Sequence, residues 1–192
     1  MAKAAFIDRD GVINEERAYV HRIADFEFIR GSVDALRKLR EAGYLLVVIT
    51  NQSGIGRGLF SEADYHELEA YMRRRLAEAG VALDSVQYCP HLPDATVAQY
   101  RRHCECRKPR PGMILTAAER LNIDISRSIL VGDRKADLEA GRAAGVGRCF
   151  LVRSGLPLSD SDLLLADGVY ADLAQCTDEL LRLSDSRERL PR

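Results

Sequence analysis

Short apolar runs alternate along this chain with segments of helical periodicity, and this alternation limits the choice of fold more than any other feature. The run at 45–49 is continuous and rich in β-branched residues, as in a strand that is buried on both faces of a sheet. Strands joined by helices predict a parallel sheet with helices on both faces. The predicted strands are 4–7, 45–49, 85–88, 128–131 and 148–152, and the predicted helices are 32–42, 61–80, 113–121, 135–144 and 173–183. The expected fold is therefore α/β, a three-layer sandwich around a mostly parallel central sheet.

Three of the predicted strands end beside polar residues. Asp8 follows the first strand, Thr50 follows the second, and Asp133 comes after Gly132 at the end of the fourth. In parallel sheets of this kind, ligands bind beyond the carboxyl ends of the strands. We therefore expect Asp8, Thr50 and Asp133 to meet at one end of the sheet and to form a site there.

Length, charge and hydropathy argue against several classes of protein. With 192 residues the chain suits one domain, which we expect to span 1–192 with a loop insertion at 89–110. A net charge of −1 argues against binding to nucleic acid or to an anionic membrane surface. No apolar run approaches the roughly 20 residues that cross a bilayer, and the first apolar stretch is too short for a signal peptide. We expect a cytoplasmic protein.

Asp8 and Asp10 form a carboxylate pair directly after the first predicted strand. Two carboxylates one residue apart can share a magnesium ion, which prefers oxygen ligands, and an aspartate can also attack phosphorus. Gly11 would let the backbone turn tightly beside a phosphate. Asp133 would complete the metal site, and Thr50 would offer its hydroxyl group to the phosphate. Taken alone, this segment is equally typical of a plain Asp-Gly turn with solvated charges.

Residues 106–111 concentrate positive charge in a stretch that contains two prolines. Arg107, Lys108 and Arg110 stand within four positions, and the neighbouring prolines stiffen the backbone that carries them. Fixed cations stabilise the charge that develops during phosphoryl transfer. A solvated basic loop is the ordinary alternative, but the prolines favour a binding role.

Three of the five cysteines lie with a histidine in a segment that has little periodicity. Cys89-x-His91 and Cys104-x-Cys106 provide three thiolates and one imidazole, a closed tetrahedral set for a structural Zn²⁺. The loop is too polar to fold on a core of its own, so metal binding would supply the missing free energy. The alternative is a group of buried thiols beside a surface histidine.

Together these residues resemble the haloacid dehalogenase superfamily of phosphatases. The four motifs of that superfamily match, in order, Asp8-x-Asp10-Gly11, Thr50, Lys108 and Gly132-Asp133. The resemblance covers residues 4 to about 155 and is much more specific than any one motif. It implies the haloacid dehalogenase-like sandwich, and the length leaves no room for the large cap domains found elsewhere in the superfamily.

The resemblance also implies a mechanism. Asp8 would be the nucleophile and become an aspartyl phosphate, while Asp10 would act first as a general acid and then as a general base. Mg²⁺ would be held by Asp8, the backbone carbonyl of Asp10 and Asp133. Thr50 and Lys108 would bind the phosphoryl oxygens.

Within the superfamily, the chain shows a closer resemblance to the phosphatases of D-glycero-D-manno-heptose 1,7-bisphosphate. The resemblance lies in 51–58, which reads Asn-Gln-Ser-Gly-Ile-Gly-Arg-Gly, and in the segment with the cysteines. It implies removal of the C-7 phosphate in bacterial heptose and lipopolysaccharide core biosynthesis. The candidate substrate contacts are Glu16, Arg17, Ala18, Tyr19, Asn51, Gln52, Ser53, Arg57, Arg107 and Arg134. Relatives often have lysine in place of Arg134, whose guanidinium makes contacts of different geometry.

Other functions stay open at this point. Histidinol-phosphate phosphatases share the loop with the cysteines, although they typically have Asp-Gly-Leu-Gly where this chain has Ser-Gly-Ile-Gly at 53–56. A receiver-like signalling module would use Asp8 only to store a phosphate, and would need neither Asp10 as an acid nor a zinc loop. A zinc-dependent interaction module with an inactive site would not need every motif residue. No long apolar stripe is evident, so we expect a monomer that binds a small-molecule sugar phosphate.

Overall fold

The computed structural model describes residues 1–188 and contains a six-stranded sheet. The strands are β1 Lys3–Ile7, β2 Tyr44–Asn51, β3 Ser85–Cys89, β4 Ile129–Gly132, β5 Arg148–Val152 and β6 Gly168–Tyr170. Every pair of neighbouring strands is parallel, in the order β3-β2-β1-β4-β5-β6. The predicted α/β class is confirmed, and the sheet is wholly rather than mostly parallel in the described chain.

Helices cover both faces of this sheet. The described part of the chain contains α1 Ser32–Glu41, α2 Ser53–Gly56, α3 Glu62–Glu78, α4 Gly112–Leu121, α5 Lys135–Ala144, α6 Asp160–Leu163 and α7 Leu173–Glu188. Among residues 1–188 we find no separate large cap, and none of the helices is both long enough and apolar enough to cross a bilayer. The predicted three-layer sandwich is confirmed.

The strand β1 divides its side chains between two hydrophobic cores. Ala5 and Ile7 pack in the core that contains α1, α3 and α7, whereas Ala4 and Phe6 pack in the core that contains α4 and α5. All four side chains are fully buried. Successive side chains of a strand point to opposite faces, so a strand with a helix layer on each side must be apolar throughout.

The helix boundaries follow the predicted signals. At the start of α3, the Ser61 hydroxyl accepts a hydrogen bond from the backbone N–H of Asp64, and the Asp64 carboxylate accepts one from the N–H of Ser61. This is the capping box that the sequence indicates. Gly145 ends α5 in the left-handed conformation, with φ of 83°, as a glycine readily does.

The order of the strands places a crevice beside β1. From β1 the chain moves outward through β2 and β3, then returns to the other side of β1 with β4 and continues outward through β5 and β6. The connections therefore diverge between β1 and β4, and ligands bind at such points in parallel sheets. Asp8 follows β1 and Asp133 follows β4.

Among the α-helices and strands, three short elements were not predicted. The helices α2 and α6 have four residues each and β6 has three, so none is long enough to show a period. The helix α7 continues past its predicted end at 183 to Glu188, and 189–192 lie outside the described residues. The segment 90–111 contains one short turn of 3-10 helix, Ala98–Tyr100, as the prediction of a loop requires.

We expect Leu36→Ala to lower the free energy of unfolding by about 2–5 kcal/mol, because it removes buried contacts and leaves a cavity. Leu36 of α1 is fully buried in the core that β1 shares with α1, α3 and α7. Urea denaturation followed by circular dichroism would measure the change. The matched control is Leu115→Ala, since Leu115 of α4 is 44% exposed. Equal losses in the two variants would contradict this assignment of the core.

Candidate active site

Three buried carboxylates lie beyond the ends of β1 and β4. Asp8, Asp133 and Asp137 each offer an oxygen, and these oxygens lie within 4.8 Å of one another. Asp137 belongs to the first turn of α5, which follows β4. Like charges held this close and away from water destabilise one another unless a cation neutralises them.

Burial changes how readily these carboxylates ionise. It raises the pKa of Asp133 to about 6, and the charge of Asp137 acts in the same direction. Burial also raises the pKa of Asp8 well above its ordinary value, although Lys108 opposes the shift. The Oδ1 atom of Asp133 has no hydrogen-bond partner, and Nε of Arg134 lies 3.6 Å away. An unpartnered carboxylate oxygen beside a second carboxylate fits a hard divalent cation.

Lys108 joins two of these carboxylates. Its Nζ lies 2.9 Å from Oδ1 of Asp8 and 2.5 Å from Oδ1 of Asp137, and it donates a hydrogen bond of 2.9 Å to the carbonyl of Ile49. The three donors of the ammonium group are thus used. Burial disfavours its charge, but Asp137 and Asp8 outweigh burial and raise the pKa of Lys108. The side chain therefore stays charged beside Asp8.

The backbone of Lys108 is fixed by Asn51. The Asn51 amide nitrogen donates to the carbonyl of Lys108, and the backbone N–H of Lys108 donates to the Asn51 amide oxygen, each over 3.1 Å. Asn51 was predicted as a substrate contact. Its amide also pairs with the loop that carries Lys108, so these contacts position a cation.

Asp10 occupies different surroundings. Its Oδ1 accepts hydrogen bonds from Arg9 Nε at 3.1 Å, Arg9 Nη2 at 2.8 Å and Asn14 Nδ2 at 3.0 Å. Its Oδ2 accepts from Arg9 Nη2 at 2.8 Å and Gln52 Nε2 at 3.1 Å. Gln52 Nε2 also donates to the hydroxyl of Thr50 over 2.8 Å. Gln52, another predicted substrate contact, therefore connects Asp10 with Thr50.

A cleft of about 300 Å³ opens over these groups. The predicted residues that line it are Asp8, Asp10, Glu16, Ala18, Tyr19, Thr50, Asn51, Gln52, Ser53, Arg107, Lys108 and Arg134. Asp133 lies fully buried. Arg17 is exposed and forms an ion pair with Glu27, and Arg57 is exposed at the end of α2. The structure does not bring Arg17 or Arg57 to the cleft lining.

One wall of the cleft has an unusual backbone. Ala18 and Tyr19 have φ of 47° and 64°, in the left-handed region that side chains other than glycine rarely adopt. Glu16 supports this turn, since its Oε1 accepts from the N–H of Ala18 at 2.9 Å and its Oε2 accepts from Arg134 Nη2 at 2.8 Å. Arg134 thus ties this wall to the end of β4.

The predicted Cys/His ligands also come together. Cys89, His91, Cys104 and Cys106 form one group. The sulfur atoms lie 3.1–3.5 Å apart, and Nδ1 of His91 lies 3.4 Å and 3.6 Å from two of them. A tetrahedral Zn²⁺ with bonds of about 2.0–2.3 Å holds its ligand atoms roughly 3.3–3.8 Å apart. The donor set and its size fit such an ion.

The Cys/His group touches both sides of the cleft. Cys106 stands directly before Arg107 and Lys108. On the other side, the carbonyl of Cys89 accepts a hydrogen bond of 2.8 Å from the N–H of Gln52. The group is therefore directly connected to residues that line the cleft.

Two residues of the site have contacts that the sequence did not predict. Asp137 was interpreted as either a metal ligand or a solvent-facing residue, but it is buried and paired with Lys108. Arg9 is buried and paired with Asp10. Its position in the sequence could have indicated this pairing, because a charged residue just after a buried strand needs a partner in the protein.

The family model and the individual proteins that match this chain agree with one another. Residues 105–176 match the family model described as HAD-hydrolase-like. The chain is 48% identical over 171 residues to D-glycero-beta-D-manno-heptose-1,7-bisphosphate 7-phosphatase of Yersinia pestis, covering 89% of this chain and 91% of that protein. It is 47% identical over 184 residues to the protein of the same name from Vibrio cholerae, covering 95% of this chain and 99% of that protein.

Solved structures show the same similarity. The D,D-heptose 1,7-bisphosphate phosphatase from B. bronchiseptica, complexed with magnesium and phosphate, gives a TM-score of 0.80 at 34% identity, covering 94% of this chain and 99% of that one. The phosphatase of the same name from Burkholderia thailandensis gives a TM-score of 0.65 at 32% identity, covering 93% of this chain and 98% of that one.

We expect Asp133→Asn to raise the thermal stability of the metal-free protein at pH 7.5, because it removes one charge from the buried carboxylates. The pKa of Asp133 is raised from its ordinary value of 3.8 to about 6, so burial of this group costs folding free energy; the cost grows between these two pH values and is complete above about 6. At pH 5 only part of the cost is present, so the variant should gain less in melting temperature than at pH 7.5. Melting curves in excess EDTA at both pH values would test this. A lower melting temperature for the variant at pH 7.5 would contradict it.

Proposed function

The chain belongs to the haloacid dehalogenase-like phosphatases, in the family of the D-glycero-β-D-manno-heptose-1,7-bisphosphate 7-phosphatases, and we propose that it removes the C-7 phosphate of that bisphosphate. The observation that carries the proposal is that Asp8 contacts Lys108, lies close to Asp133 and lines a cleft that Arg107 and Arg134 also line. The identity of 48% with a relative of this name supports the substrate. Because the curated relatives are named for the β anomer, we propose that anomer here.

The proposed nucleophile is Asp8. Its Oδ1 accepts hydrogen bonds from the N–H of Arg9 at 2.8 Å and contacts Nζ of Lys108 at 2.9 Å. Oδ2 is therefore the atom that attacks phosphorus. The new bond joins Asp8 to phosphorus as the bond between phosphorus and the C-7 oxygen breaks, which leaves an aspartyl phosphate and the sugar oxygen.

Asp10 is the proposed general acid and base. A protonated Asp10 gives its proton to the departing sugar oxygen, and the resulting carboxylate then accepts a proton from the water that hydrolyses the aspartyl phosphate. Gln52 holds the Asp10 carboxylate beside the hydroxyl of Thr50. We assign Thr50 and Lys108 to the phosphoryl oxygens, and Lys108 then exchanges one of its three contacts within the protein for the phosphate.

Two metal ions belong to the proposal. We assign Mg²⁺ to Asp8, Asp133 and the backbone carbonyl of Asp10, and the unpartnered Oδ1 of Asp133 supports this assignment. When bound, Mg²⁺ neutralises charge between the nucleophile and the phosphate. We assign a structural Zn²⁺ to Cys89, His91, Cys104 and Cys106, as part of a zinc-binding loop at 89–110 within a single phosphatase domain.

The remaining cleft residues are proposed to bind the rest of the substrate. Arg107 and Arg134 line the cleft and suit the second phosphate, while Ser53 and the wall from Glu16 to Tyr19 suit the sugar. The product would enter heptose and lipopolysaccharide core biosynthesis. We also propose a cytoplasmic protein, since free thiols persist in a reducing compartment, and we propose that it acts as a monomer.

Phosphate release from D-glycero-β-D-manno-heptose 1,7-bisphosphate and from histidinol phosphate, each with Mg²⁺, tests the proposed substrate. We expect kcat/KM to be at least about 100-fold higher for the heptose, because the cleft offers two arginines to a second phosphate. Asp8→Asn should abolish both reactions. A preference for histidinol phosphate would overturn the substrate but keep the nucleophile. Release of neither phosphate would overturn the proposed reaction.

We expect Cys104→Ser to lower the zinc content and kcat/KM together, because the Cys/His group fixes the loop that carries Arg107 and Lys108. Elemental analysis of the purified full chain and the phosphatase assay would measure the two effects. The matched control is Cys176→Ser, since Cys176 is buried in the core of α1, α3 and α7. Its loss should lower stability but leave the zinc content unchanged. Full activity in a zinc-free Cys104→Ser protein would overturn the coupling.

A further inference from the structure

Arg9 is a buried arginine with a specific pattern of contacts. Only 2% of its side chain is exposed. Its Nε and Nη2 atoms both donate to Asp10, at 3.1 Å and 2.8 Å, and Nη2 also donates to the carbonyl of Val20 at 2.9 Å. The guanidinium carbon lies 5.9 Å from the ring centre of Tyr65. Arg9 is therefore held on several sides and holds Asp10 in turn.

We propose that Arg9 is a positioning residue that sets the orientation of the Asp10 carboxylate for proton transfer. This inference rests on the proposed role of Asp10 as general acid and base. Arg9 does not line the cleft, so it acts on the reaction through Asp10 and not by touching the substrate.

The geometry of the guanidinium supports this role. Asn14 gives one hydrogen bond to Oδ1 of Asp10 and Gln52 gives one to Oδ2, at 3.0 Å and 3.1 Å, so neither side chain alone engages both oxygens. Arg9 contacts both carboxylate oxygens through a rigid planar group, which fixes the plane of the carboxylate. The contact with Val20 prevents the guanidinium from turning together with Asp10.

The expected size of the effect follows from the chemistry of proton transfer. A general acid must lie within about 2.6–3.2 Å of the atom that it protonates. A misplacement of about 1 Å can cost about 100-fold in rate. The loss should be large for a poor leaving group such as a sugar alkoxide, and small for p-nitrophenolate, which departs without protonation.

The test compares two substrates in Arg9→Met, which keeps the length of the side chain but removes its donors. We expect kcat/KM to fall about 10- to 100-fold for the heptose bisphosphate and less than about threefold for p-nitrophenyl phosphate. The ratio kcat/KM reports the steps up to formation of the aspartyl phosphate, so slow hydrolysis of that intermediate does not affect it. Equal losses for the two substrates would overturn the inference.

Arg9→Lys and a control arginine complete the series. Arg9→Lys keeps the charge but cannot contact both oxygens through a planar fork, so it should recover only part of the loss. If Arg9→Met does not fold, the two-substrate comparison in Arg9→Lys decides by the same criterion. Arg142→Met is the matched control, because Arg142 forms an ion pair of 2.7 Å with Asp167 and does not line the cleft. It should leave both kcat/KM values unchanged.

A double-mutant cycle with Asp10→Asn separates this inference from the proposed mechanism. If Arg9 acts through Asp10, Arg9→Met should change kcat/KM for the heptose less than about twofold in the Asp10→Asn background. Additive losses would overturn the inference. If Asp10→Asn itself leaves the heptose reaction unchanged, the proposed role of Asp10 fails. If Asp10→Asn lowers the rate but Arg9→Met does not, only the role of Arg9 fails.

Discussion

The ion pairs of Lys108 are the interaction on which the rest of the site depends. Without this cation, Asp8, Asp133 and Asp137 would place three carboxylates within 4.8 Å in the protein interior. Lys108 contacts Asp8 and Asp137 directly and lies at the end of a loop rather than on a helix or strand. The protein must therefore fix a loop residue with the precision of a core residue. Asn51 fixes its backbone, and Cys106 of the Cys/His group lies two positions earlier in the chain.

The carboxylates at the strand ends and the loop that carries Lys108 are held in place in different ways. Asp8 and Asp133 are positioned by β1 and β4, whose side chains are buried on both faces of the sheet. The segment 90–111 has one short helical turn and contributes few side chains to the cores. The Zn²⁺ proposed at Cys89, His91, Cys104 and Cys106 would give such a segment the order that burial does not supply. The position of Lys108 thus depends on the sheet, by way of its contact with Asn51, and on the loop, by way of Cys106.

The sequence predicted the strands and helices that have a clear periodic pattern, and the polar residues at the ends of strands. The apolar runs and helical periods gave five of the six strands, and strand ends located Asp8, Thr50 and Asp133. It could not assign contacts that depend on how loops fold back. Asn51 and Gln52 line the cleft, and the sequence did not indicate that they also pair with Lys108 and Asp10. Arg17 pairs with Glu27 outside the cleft lining. Which polar groups pair depends on their proximity in the folded protein, and no local sequence pattern indicates that proximity.

Asp8 and Asp10 lie in contrasting surroundings, which supports the two different roles that we propose for them. Asp8 is held by an ammonium group and lies beside other carboxylates, in surroundings that favour a cation. Asp10, two residues later, meets a guanidinium and two amide donors, and its carboxylate does not join the group that Asp8 forms. Chemically identical side chains acquire separate functions when their surroundings differ in this way. Arg9, which stands between them in sequence, contributes to both, because its backbone N–H binds Asp8 and its guanidinium binds Asp10.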